Sequence, residues 1–240
     1  MSNLSLEAVE NYPAQRRRLY LMRHASVSYF NDDGSPVDPR YVQLTERGRH
    51  QAHAAAQVLA TAELDLAVCS GLTRTRETAS IVVGDRSLIL EMVAGFREIR
   101  SGRLRELAPE RLEQELAYPY ELAAQPDSRF LGGETYLEFS QRVLAAWHDL
   151  LALDWRHALL VAHDAVNRVL LGEAQPGDTL SGMSAFEQDP ACINIIDLDI
   201  VEGQLKRMLL RTVNFTPYDP LKHLARLTVM ERVHRQYKHA

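Results

Sequence analysis

Three short apolar runs, separated by stretches of helical composition, limit this 240-residue chain to one broad class of fold. The runs cover residues 19–22, 65–70 and 157–163, and each has the length and composition of a buried strand. Strands that alternate with helices are typical of an α/β sandwich with a largely parallel sheet. Ligands of such sheets bind beyond the carboxyl ends of the strands, so the residues that end each run are the first candidates for a site.

Four stretches have helical composition. The first follows Thr45, a residue type favoured at helix N-caps, and the second ends at Gly84. In order they read LTERGRHQAHAAAQVLATAE, LTRTRETASIVVG, GGETYLEFSQRVLAAWHDLLAL and DAVNRVLLG. Two later apolar runs, residues 192–200 and 204–213, are split by Glu202-Gly203 and predict a hairpin. We therefore expect a three-layer α/β/α sandwich with a mostly parallel but mixed sheet, in a single domain over residues 1–240.

Two segments do not follow this alternation. Residues 103–131 are helical in their middle and are interrupted by Pro109, Pro119 and Pro126, which predicts a small cap over a site. Residues 217–240 carry apolar side chains at near-helical spacing, which predicts a C-terminal helical tail. The members of this stripe are Leu221, Leu224, Leu227, Met230 and Val233. The stripe packs either on the body of the domain or on a second copy of the chain, as in a homodimer.

Composition and charge exclude several classes of partner. A formal net charge of −5 argues against a nucleic-acid or membrane-surface binder, so any anion site must be local. No run approaches the ~18 apolar residues of a membrane span, and the N-terminal stretch lacks the apolar core of a secretory signal. Cys69 and Cys192 have no paired spacing, which argues against a disulfide framework and a thiolate zinc site. We expect a cytoplasmic protein.

The ends of the three runs carry a set of cationic and imidazole groups. Arg23 and His24 follow the first run, Ser70 ends the second with Arg74 one helical turn further on, and His163 ends the third. If the strands are neighbours, two guanidinium and two imidazole groups converge on one pocket. Such a pocket matches a phosphate monoester, which carries close to two negative charges and accepts bidentate hydrogen bonds from Arg.

Phosphate monoesters hydrolyse very slowly without a catalyst, so charge alone does not suffice. A neutral imidazole can attack phosphorus, form a covalent intermediate and leave when water attacks. This scheme requires neither a metal nor another cofactor.

Five ordered segments resemble those of the histidine phosphatase superfamily, the phosphoglycerate mutase-like group. LMRHASV is similar to its RHG signature, CSGLTRTRETA to its S-x-L-x-R-x-x-x-T-A segment, and FREIRSG to the L-x-E-x-x-x-G segment that carries an acid. GGET resembles its G-E-S/T turn, and VAHDAVNRVL its second-histidine segment H-G-x-x-x-R. The resemblance covers roughly residues 17 to 215.

The resemblance implies a role for each matching residue. His24 is the phosphorylated nucleophile, and Arg23, Arg74 and His163 are the other phosphate clamps. Glu98 is the proton donor, which needs a raised pKa in a partly closed pocket to keep its proton near neutral pH. Ser70 joins the phosphate-binding set. Glu134 and Arg168 resemble supports of the site rather than reactants.

The sequence departs from the family pattern at three positions. Ala25 stands where the family has Gly, which is tolerable if the backbone there is not at positive φ. Asp164 replaces the usual Gly after the second histidine, and its carboxylate either weakens anion binding or orients His163. Asn31 takes the place of the family's loop asparagine, one residue further from His24.

Alternative interpretations remain for several residues. Charged loop residues near Glu98 are ordinarily just solvated, and Arg100 and Arg103 either reach a second substrate charge or are simply exposed. His50 and His53, three residues apart, hint at a metal, but no carboxylate or cysteine accompanies them at a recognisable spacing. We expect no metal ligands.

The favoured function is a metal-independent phosphomonoesterase that acts on a small phosphorylated metabolite through phospho-His24. A phosphoglycerate-type mutase would use the same residues, but the stretch REIRSGRLREL lacks the E-R-H-Y-G-type sequence of those mutases. A non-catalytic phospholigand binder of the same fold and a metal-dependent hydrolase are the other hypotheses.

Overall fold

The computed structural model describes residues 15–29, 31, 37–103, 108–125, 127–223 and 226–239. Within them, six strands form one sheet, in the spatial order β3-β2-β4-β1-β5-β6. The strands are β1 Gln15–Arg23, β2 Leu66–Cys69, β3 Leu90–Met92, β4 His157–Ala162, β5 Ile193–Val201 and β6 Gln204–Phe215. The three predicted buried runs are therefore β1, β2 and β4.

The sheet is mixed, as the hairpin pattern predicts. The pairs β1 with β4, β2 with β4 and β2 with β3 are parallel. Strands β5 and β6 add antiparallel partners at one edge. Their turn is Glu202-Gly203, and both residues have positive φ (51° and 75°), as a two-residue hairpin turn requires.

Helices cover both faces of the sheet. They are α1 Glu46–Val58, α2 Thr73–Val83, α3 Pro109–Ala117, α4 Tyr136–Ala152, α5 Asp164–Glu173 and α6 Val229–His239, with short 3₁₀ turns at Ala94–Phe96, Phe130–Gly132 and Thr179–Ala185. The predicted caps are confirmed, because Thr45 accepts from the amide of Gly48 and Gly84 ends α2. None of the described helices is long and apolar enough to cross a membrane.

Alternate residues of the central strands face opposite layers. Leu19 and Leu21 pack with α4 and α5 in one buried cluster, whereas Met22 packs with α1 and α2 in another. Strand β4 divides in the same way, with Leu160 in the first cluster and Leu159 in the second. Because both faces are covered there, residues 19–22 of β1 and 158–162 of β4 are apolar on both faces, which is why they read as continuous runs.

The cap and the tail differ in detail from the sequence pattern. Pro109 begins α3 rather than breaking it, since proline is well tolerated in the first turn of a helix. Within the described part of the tail, the helix begins at Val229. Leu221, part of the predicted stripe, is 73% exposed. Met230 and Val233 pack on the main core of the same chain. Leu224 and Pro126 lie outside the described residues. The short edge strand β3 carries no pattern that distinguishes it from a loop.

Helix α1 packs closely on the segment that follows β1. The Ser26 carbonyl accepts from the amide of Thr45 at 3.0 Å, and the Ser26 amide donates to Gln51 Oε1 at 3.0 Å. A Cβ atom placed on Gly48 would lie 2.1 Å from the Ser26 oxygen. Only glycine therefore allows this approach of helix to loop.

We expect Gly48→Ala to lower the free energy of unfolding by about 1–3 kcal/mol, because the added methyl overpacks a backbone contact. Chemical denaturation monitored by circular dichroism measures the change. Gly182→Ala is the control, since its Cβ would meet its nearest atoms at an ordinary 3.4 Å. Equal stability of the two variants would contradict the close packing at Gly48.

Candidate active site

The candidate site lies at the carboxyl ends of three adjacent strands. Strand β4 lies between β2 and β1, with Arg23 in register with Ala162 and Cys69 in register with Val161. His24 directly follows β1, Ser70 follows β2 and His163 follows β4. The parallel register therefore brings these residues to one edge of the sheet, as the sequence predicts.

His24 is buried, at 4% exposure, with its two ring nitrogens in different environments. Nδ1 lies 2.8 Å from the Ala25 carbonyl oxygen, and Nε2 lies 3.2 Å from Arg74 Nε. A carbonyl only accepts and a guanidinium only donates, so Nδ1 carries the proton and Nε2 presents a lone pair. Burial and the nearby charges of Arg74 and Arg23 hold the pKa of His24 well below its usual value. The ring is thus neutral, with a lone pair on Nε2.

His163 lies against His24 edge to face, with ring centroids 5.2 Å apart. Its Nε2 is 2.8 Å from Ser70 Oγ, which in turn contacts Thr75 Oγ1 at 2.9 Å. Its Nδ1 is buried and has no hydrogen-bond partner among the described residues. Burial, followed by the charge of Arg74, lowers the pKa of His163 well below the usual value.

The two arginines are held by backbone carbonyls. Arg23 Nη1 donates to the Gln188 oxygen at 2.6 Å, and Arg74 Nη1 donates to the Pro39 oxygen at 2.6 Å. Arg23 Nε is buried without a partner within the described part of the chain. Both guanidiniums are therefore anchored by neutral groups, which leaves their charge available to an anion.

Thr78 also belongs to the site. It lies in the motif CSGLTRTRETA, but the motif alone predicts no role for it. Its Oγ1 accepts from the amide of Ala25 at 3.0 Å and donates to the Arg74 carbonyl at 2.7 Å. It therefore ties the loop after His24 to the helical turn that carries Arg74. Ala25 is fully buried and does not have a positive φ, so the methyl that replaces the usual glycine hydrogen fits without strain.

Glu98 is partly buried close to Arg23, Arg74 and Asp164. Its Oε1 accepts from the amide of Ile99 at 3.0 Å. Burial and the negative charge of Asp164 raise the pKa of Glu98 to about 7, against the opposing effect of Arg23 and Arg74. A carboxyl group with this pKa exists in both protonation states near neutral pH, as proton transfer in both directions requires.

Asp164 begins α5 and is almost fully buried. Arg168 Nε donates to its Oδ1 at 2.7 Å, and the Tyr120 hydroxyl donates to its Oδ2 at 3.2 Å. The Arg168 guanidinium also lies 4.2 Å from the centre of the Tyr120 ring. The carboxylate is therefore paired with a cation on one side and joined to the cap on the other, which reduces its repulsion of an anion.

The remaining predicted residues lie in different surroundings. Glu134 is 3.3 Å from Arg100 and 3.2 Å from Arg142. Arg103 and Asn31 are exposed. The exposed His50 and His53 belong to no potential metal-binding group, and the described residues contain no cluster of three or more His, Cys, Asp or Glu suited to a metal ion. The structure thus brings together His24, His163, both arginines, Ser70, Glu98 and Asp164.

The chain is similar to phosphatases of known sequence and structure. It is 29% identical over 185 residues to the adenosylcobalamin/alpha-ribazole phosphatase of Escherichia coli, covering 76% of this chain and 90% of that protein. It is 34% identical over 173 residues to the glucosyl-3-phosphoglycerate phosphatase of Mycolicibacterium vanbaalenii, covering 65% and 75%. The crystal structure of the alpha-ribazole phosphatase from Shigella flexneri superposes with a TM-score of 0.62 at 29% identity, covering 82% and 96%.

Some relatives are much longer than this chain. The chain spans 43% of the length of a protein from Arabidopsis thaliana to which it is 24% identical over 208 residues. The family match itself extends over residues 19–210, which include all five motif segments and both histidines. The chain belongs to the histidine phosphatase superfamily, branch 1.

Proposed function

We propose that this protein hydrolyses a phosphate monoester of a small metabolite through a phosphohistidine at His24, without a metal ion. The observation that carries the proposal is the lone pair on Nε2 of a buried, neutral imidazole next to the Arg74 guanidinium. A nucleophile beside a cation that binds the electrophile is the arrangement that phosphoryl transfer requires.

In the first step, His24 Nε2 forms a bond to phosphorus while the ester P–O bond breaks. Protonated Glu98 donates its proton to the departing alkoxide oxygen, and the product alcohol leaves. Arg23 and Arg74 stabilise the negative charge on the transferring phosphoryl oxygens. The step leaves phospho-His24 and an ionised Glu98.

In the second step, water attacks phosphorus and the N–P bond breaks. The Glu98 carboxylate takes a proton from the water, inorganic phosphate is released, and the lone pair returns to Nε2. Glu98 thereby regains the proton that it donated, so the cycle is balanced.

Two unpaired nitrogens support a phosphate ligand. Arg23 Nε and His163 Nδ1 are buried without partners among the described residues, and leaving such groups unpaired costs about 1–3 kcal/mol each. Thr75 Oγ1 donates its hydrogen to the Leu72 carbonyl, so the Ser70 hydroxyl donates to Thr75 and accepts from His163 Nε2, and His163 Nδ1 carries a lone pair. A phosphate oxygen would accept from Arg23 Nε, and a protonated phosphate oxygen would donate to His163 Nδ1. The relatives named as phosphatases of alpha-ribazole and of glucosyl-3-phosphoglycerate favour a small phosphorylated metabolite as substrate.

We expect the protein to release p-nitrophenolate from p-nitrophenyl phosphate in the presence of EDTA, and His24→Ala to reduce release to the uncatalysed rate. The reason is that the proposed covalent intermediate forms on His24 Nε2. Steady-state absorbance measures the rate, and exposed His50→Ala is the matched control with wild-type turnover. Activity lost to EDTA would favour a metal-dependent hydrolase, and wild-type turnover equal to that of His24→Ala would favour a phospholigand binder.

A hydrolase and a mutase share the covalent step and differ in the acceptor of the phosphoryl group. With a substrate that has a second hydroxyl, such as a phosphoglycerate, we expect ³¹P NMR to show inorganic phosphate as the product. A positional isomer of the substrate, formed faster than inorganic phosphate, would show that the phosphoryl group returns to the substrate instead of passing to water.

We expect Glu98→Gln to slow hydrolysis of an alkyl phosphate by about 10²-fold or more, and that of an aryl phosphate much less, because a good leaving group needs no proton. The raised pKa adds a pH signature. The acid form of Glu98 is present below its pKa of about 7 and is lost above it, so turnover of the alkyl ester should fall as pH rises through that value.

Glu98→Gln should abolish this fall. Glu91→Gln, at an exposed carboxylate on β3, is the matched control and should retain the wild-type profile. Equal losses on alkyl and aryl esters would indicate that a residue other than Glu98 donates the proton.

A further inference from the structure

We propose that the C-terminal segment, residues 216–223 and 226–239, positions Arg23 for phosphate binding by holding the consecutive residues Glu187, Gln188 and Asp189. The inference deepens the proposed function and rests on it, because it takes Arg23 as a phosphate ligand. The segment itself contributes none of the site residues described above. Its effect on phosphate would therefore be transmitted through the backbone of residues 187–189.

Arg23 depends on the middle residue of this stretch. The Gln188 carbonyl oxygen lies 2.6 Å from Arg23 Nη1 and fixes one end of the guanidinium. Arg23 Nε has no partner among the described residues. A displacement of the Gln188 carbonyl would therefore change where the guanidinium presents its charge and its free N–H groups.

Glu187 joins this stretch to the start of α6. Its Oε1 accepts from the amide of Val229, the first residue of the helix, at 2.8 Å, and its Oε2 accepts from Arg168 Nη2 at 3.0 Å. Thr228 and Glu231 cap the same helix end, since each side chain accepts from the backbone amide of the other. A partly buried carboxylate at a helix N-terminus is a favourable contact, because the free amides there carry partial positive charge.

Asp189 joins the stretch to the tail on its other side. Its Oδ2 lies 2.9 Å from Lys222 Nζ, and its Oδ1 lies 3.4 Å from Arg232 Nη2. Lys222 also donates to Thr216 Oγ1 at 2.9 Å. Although burial raises the pKa of Asp189, the contacts with Lys222 and Asn214 and the charge of Arg232 lower it overall. The carboxylate is therefore ionised and paired with two cations of the tail.

The Gln188 side chain is held from the core, and this is the competing explanation for the position of its carbonyl. Its Oε1 accepts from Asn194 Nδ2 at 2.8 Å, within the buried layer beneath the site. If the core contact alone fixed the carbonyl, the tail would contribute stability but no phosphate affinity. The two explanations predict different results for variants of the tail cations.

The test is a double-mutant cycle between the tail and Arg23. We expect Lys222→Met combined with Arg232→Met to raise the Ki of inorganic phosphate and the KM for p-nitrophenyl phosphate by about threefold to tenfold, the size of effect typical of coupled neighbours. In an Arg23→Lys background, the same pair of substitutions should cause no further rise. A purely structural role of the tail would not produce this loss of additivity.

Two further variants control for the fold. Arg235→Met removes an exposed cation from the same helix and should leave the Ki of phosphate unchanged. Lys222→Arg keeps the charge beside Asp189 and should retain wild-type affinity. Thermal unfolding by circular dichroism identifies any variant that is not folded at the assay temperature. In that case the single Arg232→Met variant replaces the pair, with a smaller rise in Ki expected.

The outcomes separate the two proposals. Suppose that Arg23→Lys weakens phosphate binding. If the folded tail variants do not weaken it, or if their effects simply add to that of Arg23→Lys, the tail inference is wrong and the proposed function stands. If Arg23→Lys leaves the Ki of phosphate unchanged, Arg23 is not a phosphate ligand, and both the tail inference and this part of the proposed site are overturned.

Discussion

Two guanidinium groups, one buried and one partly buried, beside two buried imidazoles impose the main constraint on this molecule. Burial, and then the charges of Arg74 and Arg23, lower the pKa values of His24 and His163, so neither ring readily takes up a positive charge. The rings therefore stay neutral, and the positive charge of the group lies on the two guanidiniums. The same repulsion keeps the Nε2 lone pair of His24 free of a proton, as the proposed attack on phosphorus requires.

The surrounding contacts hold this group without neutralising it. Arg23 and Arg74 are anchored by backbone carbonyls. Asp164, the carboxylate that directly follows His163, is paired with Arg168. Asp164 nevertheless raises the pKa of Glu98. Asp164, where the family usually has glycine, is thus compatible with the proposed anion site, because Arg168 balances its charge. Its remaining effect is on the pKa of Glu98, the proposed acid.

Much of the architecture was predictable because it follows from local pattern. Continuous apolar runs identified the buried strands, Thr45 and Gly84 marked helix ends, and Glu202-Gly203 marked the hairpin. Elements without a local pattern were not predictable. Strand β3 has only three residues, and the tail stripe suggested a longer helix than α6, since spacing alone does not show where a helix starts. Thr78 gained its role only through a contact with Ala25, 53 residues away.

The sequence by itself determined the chemistry available to this protein: the order of strands and helices, the two histidines and two arginines at strand ends, and the family. Tertiary structure decided which of these groups meet and in what state. The tautomer of His24, the pairing of Asp164 with Arg168 and Tyr120, and the attachment of the tail to Asp189 depend on contacts between distant segments. Such contacts arise from sheet register and packing, and these are properties of the whole chain rather than of any short stretch.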